Sequence, residues 1–346
     1  MDQFNTKQME EQKKDQPNLE LNWTQPAMEQ ININQYTDQP YYKNDYEIHN
    51  SKKIISRAGF ALLILGLVVI GSQTVVDILI NYLCPSVAQT DWYVWAITAL
   101  SMVGIGFPIY CLMISRIPNS TRGEARKMSP LRFVMIFFIC NGAMYITSFI
   151  SSIFTVIIAL LKGDTELLNP ATEAIMNSNF VISLIYAAII APIIEELIFR
   201  KLLLDKLRRF GDIPAILMTG IAFGLFHMNL SQFFYAAVLG FIFAYVTIRT
   251  NTIKYSILLH MMINSLSTAF IMPVVINNNI IGSFIIILWI VLSITLGIIF
   301  FLVNMKKIKI EKSVPPIKMS TYFLNLGTIL YTLFCFIWII IVTIFY

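Results

Sequence analysis

The sequence predicts an all-α fold, a polytopic membrane bundle of about nine transmembrane helices, on three observations. Hydrophobic residues make up 57% of the 346 positions and charged residues 13%, with a mean hydropathy of +0.69, outside the range of ordinary soluble domains. Apolar runs follow one another, and most reach the roughly 20 residues a helix needs to cross about 30 Å of hydrocarbon. Basic residues alternate between the connecting loops, the pattern that positive-inside topology produces.

Residues 1–53 come first, with nine acids against six bases and an abundance of Gln, Asn and Tyr. That composition cannot bury enough apolar surface to fold alone, and it lacks the layout of a secretory signal. It is read as a disordered polar cytoplasmic tail. Accessory helices follow in 54–178, with spans expected at Ala58–Tyr82, Trp92–Ile114 and Phe133–Leu161. A core at 179–276 holds Phe180–Leu204, Ile213–Met228, Gln232–Ile248 and Ile253–Ile276, and 277–346 holds Ile281–Val303 and Tyr322–Phe345.

Lys52, Lys53 and Arg57 precede the first span, and Arg116, Arg122, Arg126, Lys127 and Arg132 follow the second. The loop after the third sets Lys162 against Asp164, Glu166 and Glu173, whereas Arg208, Arg209, Arg249, Lys254 and Lys306 to Lys312 mark later loops of the basic side. This places the amino terminus in the cytoplasm and the carboxyl terminus outside. The excess of bases reads as topology and not as nucleic-acid binding.

The fifth and sixth spans are short and separated only by Asn229-Leu230-Ser231, so they form a candidate hairpin that turns before the outer surface. Gly220, Gly224, Ala236, Gly240 and Ala244 recur every fourth position, which lets backbones approach closely. Asp77 and the Trp92-Tyr93-Trp95 cluster read as interfacial, Asn141 and Ser148 as interhelical hydrogen-bonders, and Pro273 as a kink or helix end. Cys84, Cys111, Cys140 and Cys335 fall singly and imply neither disulfides nor a zinc knuckle.

Charge is out of place in Glu195-Glu196-x-x-x-Arg200, at the end of an apolar run. Ionised groups at membrane depth are costly and usually functional. Pro192 removes a backbone donor and is expected to free the carbonyl of Ala188, loosening the helix just before the acids. Glu196 and Arg200 are four apart and share a face, so they are expected to pair. Glu195 lies about 100° round the helix and is left for chemistry.

Two of three histidines, His227 and His260, lie in apolar runs. His227 shares a helical face with Phe223, and His260 with Asn264. Counted along the helices, Glu195 and both histidines can meet at one depth. A glutamate, two histidines and an asparagine in a low-dielectric cavity suit amide hydrolysis. Glu195 takes a proton from water, with His227 orienting that water, and His260 and Asn264 donate to the oxyanion. The same atoms allow a second chemistry, since Glu195, His227 and His260 are also a possible zinc-ligand set. The spacing differs from a His-Glu-x-x-His zinc helix.

Glu195-Glu196-x-x-x-Arg200, Phe223-x-x-x-His227 and His260-x-x-x-Asn264 together resemble the three motifs of the CAAX protease and bacteriocin-processing family, also called the Abi family. This is the family of type 2 CAAX prenyl proteases and lysostaphin resistance protein A-like proteins. The resemblance covers Phe180 to Thr268. It implies an intramembrane peptidase with a cavity-forming core, Glu195 and His227 activating water, His260 and Asn264 on the oxyanion side, and Glu196, Arg200 and Phe223 supporting. It leaves open whether the cofactor is none or a divalent metal. It also implies a membrane-associated peptide or lipidated protein as substrate. Short loops and the Asn/Gln-rich tail fit a bacterial plasma-membrane protein.

Two other classes stay open on the sequence. A non-catalytic immunity or scaffold protein would bind a peptide or partner in the same cavity, with its polar residues as interhelical hydrogen bonds. A transporter would use the same acids and histidines as a proton relay, although no pair of interrupted segments suggests inverted repeats.

Overall fold

Prolines set where the long helices change register. In the computed structural model, π-helical turns at Leu100–Gly106, Tyr186–Ile190 and Leu266–Ile271 each end two residues before a proline, Pro108, Pro192 and Pro273. A proline lacks the N–H that would close the preceding turn, and its ring crowds the carbonyl one turn back, so the backbone widens there. A fourth π-segment, Leu197–Leu203, has no proline and contains Arg200.

The structure describes residues 41–120, 123–163, 170–310 and 318–345. Among the described residues all regular elements are helical, and eight helices are long and apolar enough to cross a membrane. We number the main helices α1 (Tyr41–Leu83), α2 (Tyr93–Ile114), α3 (Pro130–Lys162), α4 (Phe180–Phe210), α5 (Asp212–Phe226), α6 (Leu230–Thr250), α7 (Lys254–Ile276), α8 (Ile280–Lys307) and α9 (Leu326–Phe345).

Two expectations change. Residues 1–40 of the expected tail lie outside the described residues, as do Arg122, Asp164, Glu166 and Lys312 of the loops, but residues 41–53 are helical and continuous with the first span. Adding turns to an existing helix avoids the cost of nucleation, so polar residues extend it. Eight spans replace nine, because α5 has only 15 residues and reaches about 22 Å at 1.5 Å per residue.

Helices α5 and α6 form a hairpin. Met228 sits at φ 50°, a left-handed conformation that ends α5, and the Asn229 side chain accepts from Ser231 N to start α6. The tip reaches Thr155 of α3, whose Oγ1 lies 3.4 Å from Ser231 Oγ. Thr155 is seven residues before the end of α3, or about 10 Å along its axis. The hairpin therefore turns short of the Lys162 end of that helix.

Gly220 and Gly240 face each other at the crossing. A Cβ on Gly240 would stand 2.8 Å from Gly220 Cα, and one on Gly224 2.7 Å from the Phe233 carbonyl. The small-residue stripe thus works as the sequence suggests. Gly211, at φ 111°, makes the turn between α4 and α5, a conformation that side chains rarely adopt.

Some polar residues find other partners than expected. Trp95 is buried, and its indole N–H donates to Ser183 Oγ at 2.9 Å, so it packs on α4. Asn141 donates to Phe137 O of its own helix at 2.9 Å, not across helices. Asp77 Oδ1 accepts from Tyr93 at 2.9 Å and Asn81 at 3.1 Å in an exposed cluster.

Candidate active site

The two adjacent glutamates of α4 occupy different environments because they point to different sides of one helix. Glu196 is fully buried, whereas the Glu195 side chain keeps 16% of its exposure. Arg200 Nη1 lies 2.9 Å from Glu196 Oε1, with both side chains wholly enclosed. Burying such a pair is tolerable only when each charge is compensated. The guanidinium has further compensation from aromatic faces, at 4.3 Å from the Phe223 centroid, 5.3 Å from Phe243 and 5.9 Å from Phe199, an attraction that desolvation strengthens.

Helix α7 brings His260 between the two acids. Its Nδ1 lies 3.1 Å from Glu196 Oε1, and its Nε2 lies 3.7 Å from Glu195 Oε2. Glu196 therefore does more than hold Arg200, the role its spacing suggested. It also fixes the histidine ring, a carboxylate's usual service to an imidazole. Phe223 meets the His260 ring edge-on at 5.7 Å and Phe243 lies 5.3 Å away, so the imidazole is clamped on several sides.

His227 ends α5. Its Nδ1 lies 2.9 Å from the Phe223 carbonyl, which can only accept, so Nδ1 carries a hydrogen, and in the neutral ring Nε2 keeps its lone pair. Phe223 also packs edge-on against this ring at 5.0 Å.

Asn264 has a task the sequence did not predict. Its Nδ2 donates to Ala187 O at 2.8 Å. In the π-turn, Ala191 N–H bonds to Tyr186 O, so the next bond in that register would run from residue 192 to Ala187 O. Residue 192 is proline and cannot donate. The freed carbonyl is thus Ala187 and not Ala188, because the turn is π and not α. Asn264 satisfies it and retains its second N–H.

Of the three candidate zinc ligands, Glu195 and His260 are neighbours; among the described residues no group of three or more His, Cys, Asp or Glu side chains is gathered as a metal ion would need. Other contributors escaped sequence reasoning. Phe243 and the Gly240 carbonyl, 3.5 Å from Arg200 Nη2, are reached only through the hairpin. Buried Ser256, which donates to Ile253 O at 3.0 Å, lies one turn before His260, and that spacing was its only available signal.

Residues 177–266 match the Rce1-like family, described as type II CAAX prenyl endopeptidase Rce1-like. This segment is similar to that family. It holds Glu195, Glu196, Arg200, Phe223, His227, His260 and Asn264. The chain is also 33% identical over 97 residues to a Bacillus subtilis (strain 168) protein named "Putative membrane peptidase YdiL", a match over 27% of this chain. The chain spans 40% of the length of that relative. No solved structure matches it.

Proposed function

We propose that the protein is an intramembrane endopeptidase that hydrolyses a peptide bond with water activated by Glu195. The observation that carries this reading is the placement of His260 between two unequal carboxylates, one sealed against Arg200 and one left open. A purely structural polar network has no need of the open one. The CAAX protease match over the same residues supports it.

Glu195 takes a proton from water as the water oxygen attacks the scissile carbonyl carbon, and His227 Nε2 accepts from the same water and orients it. The carbonyl oxygen becomes an oxyanion. A protonated His260, kept in place by Glu196 at Nδ1, donates to it from Nε2, and the second N–H of Asn264 donates alongside. The C–N bond then breaks as Glu195 returns the proton to the leaving amine, giving a carboxylic acid and an amine.

Since the Rce1-like family is described as a CAAX prenyl endopeptidase, the test uses a quenched fluorescent peptide ending in a farnesylated Cys-aliphatic-aliphatic-Ser. In proteoliposomes the wild type releases the tripeptide and Glu195→Gln does not, with both proteins equally folded. Undiminished turnover by Glu195→Gln rules out the mechanism.

A further inference from the structure

Helices α3 and α8 pack as an antiparallel pair whose seam ends in an open, basic notch. One stripe of α3 meets α8 along its length. Met135 Sδ lies 3.7 Å from Asn304 Nδ2, Phe138 meets Phe300 at 6.2 Å, a Cβ on Gly142 would stand 2.8 Å from Ser293 O, and Tyr145 accepts from Trp289 at 3.0 Å. The next position of that stripe, one turn before Met135, is Leu131. It is 66% exposed, and Val134 beside it is exposed as well. On α8 the position one turn after Asn304 is Ile308, also exposed, where the chain has left the helix. The packed seam thus runs out one turn before its apolar stripe does.

Three bases belong to that notch. Counted from the contact of Met135 with Asn304, Arg132 lies three residues back on α3, and Lys306 and Lys307 lie two and three residues on along α8. All therefore reach one level, about 3–6 Å further along the pair. The three are exposed, and among the described residues none makes a side-chain hydrogen bond or ion pair. Neither α3 nor α8 contains an acid. Positive-inside topology accounts for bases at this end of the bundle, but others at the same end are engaged. Arg208 donates to Asn251 Oδ1 at 2.6 Å and Arg209 to Pro118 O at 3.0 Å. Like charges gathered without an acid repel one another, and a bound anion relieves that repulsion.

We propose that this end of the α3–α8 seam binds an anionic phospholipid. Its phosphate pairs with Arg132, Lys306 and Lys307, and an acyl chain lies along Leu131 and Val134. A free phosphate ion would answer the charge but leave the apolar side chains uncovered. The notch stands where two helices long and apolar enough to cross a membrane both end, the level at which a phospholipid presents head and tail together. Each base near an anionic leaflet strengthens attraction about 5-fold, so three give roughly 100-fold. The site lies outside the motif-bearing helices and does not depend on the peptidase reading.

The test titrates the full chain in detergent with phosphatidylglycerol or phosphatidylcholine and counts bound lipids by native mass spectrometry, alongside thermal melting. The wild type is expected to hold one phosphatidylglycerol about 10- to 100-fold more tightly than phosphatidylcholine. Arg132→Gln/Lys306→Gln/Lys307→Gln should lose that preference, and Lys52→Gln/Lys53→Gln/Arg57→Gln, which removes equal charge from α1, should keep it. A wild type without preference, or a triple variant of the notch that retains it, overturns the site. Equal loss in both triple variants also overturns it, since net charge and not the notch would then hold the lipid. Displacement of the lipid by about 10 mM inorganic phosphate at constant ionic strength would replace the phospholipid with a small anion. If the triple variant of the notch melts below the wild type, Leu131→Glu decides, because it sets a carboxylate among the bases without removing them. Phosphatidylglycerol retained by that variant at wild-type affinity overturns the proposal.

Discussion

Arg200 and Asn264 show how single side chains hold the bundle at the candidate site, one by an enclosed ion pair and one by a bond to a freed carbonyl. Removing Arg200 strands Glu196 as an uncompensated carboxylate in a fully buried position, and breaking such a pair typically costs about 3–5 kcal/mol. Arg200→Ala should therefore melt well below the wild type, and an unchanged melting temperature would contradict the enclosed ion pair. Asn264→Ala should show two losses at once. The orphaned Ala187 carbonyl costs about 1–3 kcal/mol, and a missing oxyanion donor lowers kcat by roughly 10²–10³. Calorimetry and single-turnover cleavage separate the two, and loss of rate with full stability would mean that Asn264 does not hold the π-turn.

At the scale of elements, the hairpin of α5 and α6 decides how the site is enclosed. Its closeness depends on glycines at the crossing, where an added side chain would press on backbone. Its tip, between Asn229 and Ser231, packs near Thr155 and not at the end of α3. A cysteine at Ser231, in a background lacking the four native cysteines, should be labelled poorly by a membrane-impermeant maleimide added from outside. Ready labelling would mean that the turn emerges at the surface and α5 crosses fully. The hairpin was legible in the three-residue gap between the two runs and in their small-residue stripe, but only α5 is short; α6, at 21 residues, is long enough to cross. The π-turns were not, since proline in the sequence announces a disturbed helix without saying whether it kinks, ends or widens. Only the carbonyl left unbonded, Ala187 in place of Ala188, shows which occurred.

Across the whole molecule, the later helices brace the site from a distance. Tyr331 of α9 donates to Ala222 O at 2.8 Å, adjacent in sequence to Phe223, whose carbonyl holds His227. Tyr322, in the short helix Met319–Phe323, donates to Phe210 O at 2.5 Å, at the turn from α4 into α5. The bundle thus fixes both ends of α5 from segments outside the matched family region. Because the proposed water activation uses Glu195 and the two histidines without a shared ion, cleavage of the farnesylated peptide should survive exhaustive dialysis against a chelator, with metal analysis of the same sample as the control. Loss of activity that zinc restores would replace the glutamate mechanism with a metal-assisted one.

By itself the sequence determined the membrane bundle, the helix periods and the three motif-bearing segments, since length, hydropathy and i,i+4 spacing are local properties of the chain. It also separated Glu195 from Glu196, because one position round a helix is a fixed rotation. What it could not decide was which side chains meet across helices. The spacing predicted a Glu196–Arg200 pair, but the contact of Glu196 with His260, 64 residues away, depends on how α4 and α7 pack. The same holds for Asn264 on Ala187 and for the aromatic faces around Arg200. These contacts are set by the approach of helices, which widened turns and glycine crossings control and which no local pattern encodes.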